Sequence, residues 1–334
     1  MADRIITYRE ALKEALREEM LRDDRVFLMG QDIAGFGGAY KVTEGLFEEF
    51  GARRVKDTPI AEEAIVGAGI GAAMVGLRPV VEIMTINFVL VAYDQIVNNA
   101  AKINYMFGGQ DCVPLVVRTP QGGGHQLGAQ HSQNFDVSFA YIPGLVVVTP
   151  AVPSDAKGLL KTALRQNNPV MFIENLGLYN TRGSVPEGEF LIPFGKARVA
   201  REGHDLTIIA HSRTVLTAME AANTLAGEGI EAEVVDLRSL RPLDVDTIVQ
   251  SVRKTNRVVI VGEEWRTFGV GAEIAATIQE QAFDYLDAPI ARVNTAEVPM
   301  PYSKPLEQSA LPHPEAVVQA ARGLLPRRFF AGAR

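Results

Sequence analysis

Short apolar runs alternate along this chain with longer stretches in which apolar residues recur at helical spacing. Such runs, when polar residues bound them, predict buried strands, and the stretches between them predict amphipathic helices. In the first half of the chain the predicted strands cover residues 25–30, 79–83, 113–118, 145–150 and 169–175. Strands that alternate with helices predict an α/β fold around a mostly parallel sheet.

Three helices of this first half carry further signals. Thr7 and Glu10 form the S/T-x-x-E capping box, which predicts a helix start at the amino terminus. A helix beginning near residue 154 is expected to be capped by Ser154. A long helix is predicted over residues 88–107, because one side of it would carry only apolar residues: Ala92, Ile96, Ala100, Ile103 and Phe107.

The periodic pattern breaks between residues 176 and 193, where turn residues dominate. It then restarts with predicted strands at 206–210, 232–236, 257–264 and 290–293, separated by helices, the first of them capped by Ser212. A chain of 334 residues is also long for a single core. We therefore expect a parallel-sheet domain over residues 1–185 and a smaller α/β domain over residues 186–334.

Net charge, cysteine content and the lengths of the apolar runs exclude several classes of protein. The net charge of −7 argues against nucleic-acid binding, which normally needs a basic surface. Cys112 is the only cysteine, so no disulfide can form within the chain, and a reducing compartment is expected. The chain contains no apolar run of membrane-spanning length and no amino-terminal signal peptide. These features predict a cytoplasmic protein that does not enter membranes.

Residues 57–88 form the most unusual stretch, because two adjacent carboxylates, Glu62 and Glu63, precede a segment of small uncharged residues. Within it, GAGIGA (residues 67–72) matches the dinucleotide-binding fingerprint, but no strand directly precedes it and no acid follows at the required distance. We interpret it instead as a buried helix of small residues, and we expect it to let another helix approach closely across a subunit interface. The two acids fit either an ordinary helix start or a carboxylate that exchanges a proton with a ligand.

A glycine-rich polar loop, residues 121–133, follows one of the predicted strands and contains His125 and His131. Loops at the carboxyl ends of parallel strands commonly form binding sites, so function is favoured over a plain surface loop. The chain has neither the HExxH pattern of zinc proteases nor the G-x-S-x-G elbow of serine hydrolases.

Four segments together resemble a known family: DTPIAEEAIVGAGIGAAMVGLRPVVEIMTINF, GAQHSQNF, DAKGLLKTALRQNNPV and AEVPMPY. They look like the beta subunits of thiamine-diphosphate-dependent 2-oxo acid dehydrogenases of the pyruvate dehydrogenase type. The resemblance extends over roughly residues 4–325, with the motifs in the same order and spacing. It implies a transketolase-like pyrimidine-binding domain followed by a transketolase C-terminal domain.

The resemblance also implies roles for individual residues. Glu62 matches the glutamate that hydrogen-bonds a ring nitrogen of the cofactor's aminopyrimidine, and Phe88 matches the aromatic residue that stacks on that ring. His131 matches the acid/base on the substrate side. Glu63 and His125 lie outside the matching positions, so the resemblance assigns them no role.

The same resemblance implies two metal ions and a partner subunit. Members of this family often bind a structural potassium ion through backbone oxygens, and the matching positions are Leu115, Ala163, Leu164, Gln166 and Asn168. The superfamily holds magnesium and the cofactor's diphosphate with a G-D-G motif, which this chain lacks. A separate alpha subunit is therefore expected to supply the magnesium half of the site in an α2β2 assembly.

The expected activity is oxidative decarboxylation of a 2-oxo acid, with transfer of the acyl group to lipoyl groups of a dihydrolipoyl acyltransferase core. The MTINF segment resembles the pyruvate branch (acetyl-transferring) and also the acetoin dehydrogenase branch. Two alternatives thus stay open, an acetoin dehydrogenase beta subunit and a purely structural partner of an alpha subunit.

Overall fold

The computed structural model describes residues 4–325 of the chain. The elements up to residue 185 are β1 (Arg4–Thr7), α1 (Tyr8–Arg22), β2 (Val26–Gly30), α2 (Leu46–Phe50), β3 (Val55–Asp57), α3 (Glu62–Met74), β4 (Arg78–Glu82), α4 (Ile86–Val89), α5 (Ile103–Met106), β5 (Val116–Gln121), α6 (Asp136–Ala140), β6 (Val146–Val148), α7 (Pro153–Arg165), β7 (Val170–Asn175) and β8 (Arg182–Val185).

The later elements are β9 (Arg198–Arg201), β10 (Leu206–Ala210), α8 (Thr214–Ala226), β11 (Ala232–Asp236), β12 (Ser239–Arg241), α9 (Val245–Thr255), β13 (Val258–Trp265), α10 (Val270–Ala282), β14 (Ala291–Thr295), α11 (Lys304–Ala310) and α12 (Pro314–Leu324). Over the described part of the chain, none of these helices combines the length and the apolar character needed to cross a bilayer.

Two large sheets organise the molecule. The first has seven strands in the order β12, β6, β7, β5, β4, β2, β3, and the second has five in the order β14, β13, β10, β11, β9. Only β12 and β9, at the edges, run antiparallel to their neighbours. The predicted α/β fold with mostly parallel sheets is therefore confirmed. Every position of β2, β5 and β7 is buried, as expected for parallel strands covered by helices on both faces.

The prediction of one continuous α-helix over residues 88–107 is wrong. The chain there passes through α4, a 3₁₀ turn, a π-helix at Gln95–Ala100, and α5. In the π-helix the amide of Ala101 donates to the carbonyl of Ile96, which is one residue wider than the α-helical pattern. The predicted apolar side is nevertheless buried except at Phe107.

Helix caps were predicted with mixed success. The capping box of Thr7 and Glu10 is present at the start of α1. Ser154 does not cap α7, because Pro153 already occupies the first turn, where its missing amide costs nothing. Ser212 does not cap α8 either; it adopts a positive φ of 52°, and the helix starts two residues later.

The two halves of the chain are more closely joined than the sequence pattern suggests. The irregular stretch after residue 176 contains β8, which pairs with β1, and β12 from the second half pairs with β6 of the first sheet. One continuous apolar core includes Ile83 and Phe139 together with Ile209 and Ile260. The boundary at residues 185/186 therefore stays a prediction.

Helix α3 contains the GAGIGA segment, so its glycines lie inside a helix and not in a nucleotide-binding loop. Close approach of a helix across a subunit interface stays a prediction. Gly69 faces the first sheet, where an added Cβ would lie 2.8 Å from a Cγ of Val81 and 3.1 Å from a Cδ of Leu115. Gly71 faces open space, with no atom within 4 Å of an added Cβ. The close packing that requires glycine is thus against the chain's own sheet.

These two glycines provide a matched pair for a stability test. Gly71→Ala should raise the free energy of unfolding by roughly 0.5–1 kcal/mol, because alanine is the better helix former. Gly69→Ala makes the same propensity gain, but overpacking against Val81 costs about 1–3 kcal/mol. We expect thermal unfolding to rank Gly71→Ala above Gly69→Ala. Equal midpoints would show that the sheet and α3 are not in close contact at Gly69.

Candidate active site

Four neighbouring parallel strands place the candidate residues along one edge of the first sheet. Strands β5, β4, β2 and β3 are adjacent and parallel, so their carboxyl ends lie side by side. The segments that follow them carry His131, Phe88, Gln31 and Glu62. In open α/β sheets, ligands bind in the crevice outside this edge.

Glu62 is the first residue of α3 and is only 6% exposed. Its Oε1 accepts a hydrogen bond from Nε2 of Gln31 at 2.8 Å. The positive end of the helix dipole also favours a negative charge at this position. Among residues 4–325, no group donates a hydrogen bond to Oε2, which leaves one carboxylate oxygen for a ligand. Gln31, which directly follows β2, was not predicted from the sequence.

Phe88 and His131 lie in contact although they are far apart along the chain. Their rings meet edge to face, with centroids 5.2 Å apart and an angle of 89° between the planes. A hydrogen bond links the same two segments: the backbone amide of Gln133 donates to Oδ1 of Asn87 at 3.3 Å. Phe88 is half-buried in α4, so part of its ring surface is free to contact a planar ligand.

The two residues to which the resemblance assigns no role are both exposed. Glu63 is exposed and lines a groove of about 550 Å³ along α3, together with Ala64, Gly67 and Val91. His125 is exposed in the loop and makes no hydrogen bond or ring contact within the described chain. Neither joins the pair of Phe88 and His131.

A buried ion cluster lies at the same edge of the sheet. The Arg118 guanidinium on β5 donates to Glu82 on β4 at 2.8 Å and to Glu174 on β7 at 2.8 Å. Tyr179 donates to the same Glu174 carboxylate at 2.7 Å. Burial raises the pKa of Glu174, although Arg118 and Tyr179 partly oppose this. The cluster joins three adjacent strands, β4, β5 and β7, and its two glutamates lie at the carboxyl ends of β4 and β7.

The predicted potassium ligands lie around the carboxyl end of α7, where helix carbonyls carry partial negative charge. Arg78 already contacts two of them: its Nε donates to the carbonyl of Leu164 at 2.7 Å, and its Nη2 donates to the carbonyl of Gln166. The carbonyl of Leu115 accepts from the amide of Val170 at 2.9 Å. The positively charged guanidinium of Arg78 thus lies at the predicted potassium site.

Side chains from the second half of the chain hold the loop that carries His131. Glu263 and Glu307 accept hydrogen bonds from its backbone amides, and Arg213 donates to one of its carbonyls. Sequence reasoning missed these residues, because they lie between 90 and 183 positions from their partners in the loop and match no local motif. The glycine-rich character of the loop was the only local sign that its backbone would be approached closely.

Comparison with known proteins agrees with this geometry. Residues 4–181 match the family model "Transketolase, pyrimidine binding domain", and residues 195–317 match "Transketolase, C-terminal domain". Among solved structures, a "Split gene transketolase, inactive beta4 tetramer" superposes with a TM-score of 0.79 and 25% identity, covering 96% of this chain and 98% of that chain.

Fold and site therefore define a protein of the transketolase type. More particularly, the chain is 52% identical over 317 residues to the "Pyruvate dehydrogenase E1 component subunit beta" of Rickettsia felis, covering 95% of this chain and 97% of that protein. It is 48% identical over 330 residues to the mitochondrial counterpart of Dictyostelium discoideum, covering 98% and 93%. The chain belongs to the family of pyruvate dehydrogenase E1 component beta subunits.

Proposed function

We propose that this chain is the beta subunit of a pyruvate dehydrogenase (acetyl-transferring) component. It would take part in oxidative decarboxylation of a 2-oxo acid and transfer of the acyl group to lipoyl groups of a dihydrolipoyl acyltransferase. The observation that carries the proposal is the contact between Phe88 and His131 on the same sheet edge as buried Glu62. These are the three positions at which the family resemblance predicts function.

The residues at this edge fit one half of a thiamine diphosphate site. Glu62 presents a buried carboxylate, one oxygen of which receives no hydrogen bond from the described residues, and Phe88 presents an aromatic ring that is partly open. When bound, the cofactor supplies the carbon nucleophile and the electron sink for decarboxylation. The protein's contribution is position, a dry environment and proton handling.

Glu62 would hold a proton against a ring nitrogen of the aminopyrimidine. A carboxyl group can share a proton with a ring nitrogen through a hydrogen bond, because a protonated carboxyl is a donor and a carboxylate is an acceptor. The hydrogen bond from Gln31 to Oε1 keeps the carboxyl plane oriented, so Oε2 is the atom that would exchange the proton. Phe88 would pack against the same ring.

His131 would act on the substrate side of the site, since it lies across the Phe88 ring in the loop after β5. An imidazole has one nitrogen that can donate a proton and one that can accept it, which suits an acid/base that orients the acyl group and the incoming lipoyl disulfide. The edge-to-face contact with Phe88 would restrict the imidazole orientation.

We propose an alpha subunit as the partner, in an α2β2 assembly that is active only as a whole. Several apolar side chains are exposed near the start and end of α3, including Ile60 (82% exposed) and Val75 (80% exposed). Exposed apolar surface of this kind is typical of protein interfaces. The absence of a G-D-G motif in the sequence makes the partner the expected source of the magnesium and diphosphate ligands.

A structural potassium ion at the carboxyl end of α7 remains part of the proposal. A carbonyl oxygen has two lone pairs, so the contacts from Arg78 do not by themselves prevent cation binding. An unfolding midpoint that rises with potassium but not with sodium would support the ion.

The domain boundary at 185/186 and a cytoplasmic location are likewise proposals.

Reconstitution tests the function directly. The chain would be purified with and without an alpha subunit and assayed with pyruvate, acetoin and branched 2-oxo acids, in the presence of thiamine diphosphate and lipoylated acyltransferase. The proposal predicts acetyl transfer from pyruvate by the complex only. Preference for acetoin would identify an acetoin dehydrogenase instead, and inactivity with every substrate would leave the purely structural role.

Glu62→Gln should abolish turnover while the α–β complex still assembles. Glutamine keeps the shape of the side chain but cannot release a proton, so we expect a loss of about 100-fold or more in kcat. Glu63→Gln is the matched control, because that side chain is exposed at the adjacent position. Near-normal decarboxylation by Glu62→Gln would remove Glu62 from the catalytic assignment.

His131→Ala should impair acyl transfer more than cofactor binding. We expect acylation of lipoyl groups to fall by about 100-fold, as is usual when an acid/base is lost. The affinity for thiamine diphosphate, measured by titration calorimetry, should change far less. His125→Ala, in the same loop but exposed, serves as the control. Wild-type lipoyl acylation by His131→Ala would eliminate the proposed role.

A further inference from the structure

The loop between β5 and α6 is anchored at its beginning by the second half of the molecule. Oε1 of Glu263 accepts from the amide of Gly123 at 2.8 Å, and Oε1 of Glu307 accepts from the amides of Gly124 at 2.9 Å and Gln126 at 3.0 Å. Arg213 donates to the carbonyl of Gly123 at 3.0 Å. Charged acceptors and donors strengthen such bonds, so the backbone here is firmly held.

The far end of the loop is held by a separate buried cluster. Asp136 begins α6 and is 1% exposed, and its Oδ2 lies 3.0 Å from Nε2 of His211, which is 4% exposed and follows β10. The same Oδ2 accepts from Nε2 of Gln121 at 2.9 Å, and Oε1 of Gln121 accepts from the amide of Phe135. Gln121 thus ties the start of the loop to its end, and His211 ties both to the second sheet.

Glu264 completes the cluster from β13. Its Oε2 lies 3.9 Å from Nε2 of His211 and, within the described chain, has no hydrogen-bond partner. Burial raises the pKa of Glu264, although the nearby His211 lowers it in part. A protonated Glu264 would leave His211 and Asp136 as one compensated pair of charges, which is the arrangement that burial tolerates best.

The acidic groups that face His211 are Asp136, Glu264 and Asp236. Burial alone would lower the pKa of His211, but the hydrogen bond and charge of Asp136, with the two other acids, raise it to about 9. The pKa of Asp136 is lowered in return, because its bonds outweigh the effect of its burial. A raised histidine pKa means that the pair contributes its full stability below the unfolded value near 6.5 and loses it as the pH rises through about 9.

We propose that the ion pair of Asp136 and His211 is a positioning device, which sets the loop carrying His131 against the second half of the molecule. The loop's anchors at Gly123 and Gly124 restrain one end, and this pair restrains the other. The inference rests on the proposed function for its catalytic consequence. Its structural consequence, a loop ordered by a charged histidine, can be measured without any activity.

The test uses the α–β complex with His211→Gln and, as a matched control, His204→Gln at an exposed histidine. Hydrogen exchange at neutral pH should show about tenfold less protection for amides in residues 122–135 of the His211→Gln complex. Amides of β10 should keep their protection. The kcat for lipoyl acylation should fall by about tenfold, with little change in the affinity for thiamine diphosphate.

A pH profile supplies a readout that a merely structural role would not change. Wild type and His204→Gln should lose kcat with an apparent pKa near 9 as His211 loses its proton, and His211→Gln should lack that limb. Asp136→Asn, which preserves the shape of the side chain, should reproduce the loss of loop protection. It keeps the inference testable if His211→Gln fails to fold.

Three results would overturn the proposal. Unchanged loop protection in both variants would show that the pair does not position the loop. An equal loss of protection in β10 would indicate general destabilisation. A stoichiometric metal ion in the purified wild type, lost in both variants, would make Asp136, His211 and Glu264 ligands and not an ion pair. Absence of decarboxylation in the wild-type complex would refute the proposed function alone, since the exchange result is independent of it.

Discussion

The adjacency of β5, β4, β2 and β3 is the constraint on which the site depends. Because these strands are parallel, every chain segment that leaves them emerges at the same edge of the sheet. That alone places Gln31 beside Glu62, and His131 against the ring of Phe88. Burial of β2 and β5 at every position holds the middle of this edge in place, so segments separated by tens of residues meet with defined geometry.

Burying charge at this edge has a cost that the structure offsets with specific partners. Glu62 accepts a hydrogen bond from the side-chain amide of Gln31, and Asp136 forms an ion pair with His211. Arg118 lies between two glutamates. Each partner gives a buried ionisable group a hydrogen bond, and at Arg118 and Asp136 the partner also carries the opposite charge. Within residues 4–325, one carboxylate oxygen of Glu62 and one of Glu264 receive no hydrogen bond, and both lie in the clusters described above.

The second half of the chain acts as a support for the first. It contributes β12 to the first sheet, shares the apolar core, and anchors the loop of His131 through Glu263 and Glu307. Exposed apolar residues flank α3, with Ile60 before its start and Val75 at its end, which leaves apolar surface for a partner. A site that one subunit only half completes suits this arrangement.

Local pattern in the sequence predicted most strands, most helices and the capping box of Thr7, because periodicity and capping depend on neighbours within a few residues. It missed β8, β9 and β12, which pair as edge strands or in the small sheet. Motif resemblance singled out Glu62, Phe88 and His131. Only the tertiary structure decided that Gln31 contacts Glu62, that residues 88–107 form a broken helix, and that His211 contacts Asp136 across 75 positions. Hydrogen bonds and ion pairs between distant segments depend on how sheets pack, and no local periodicity records them.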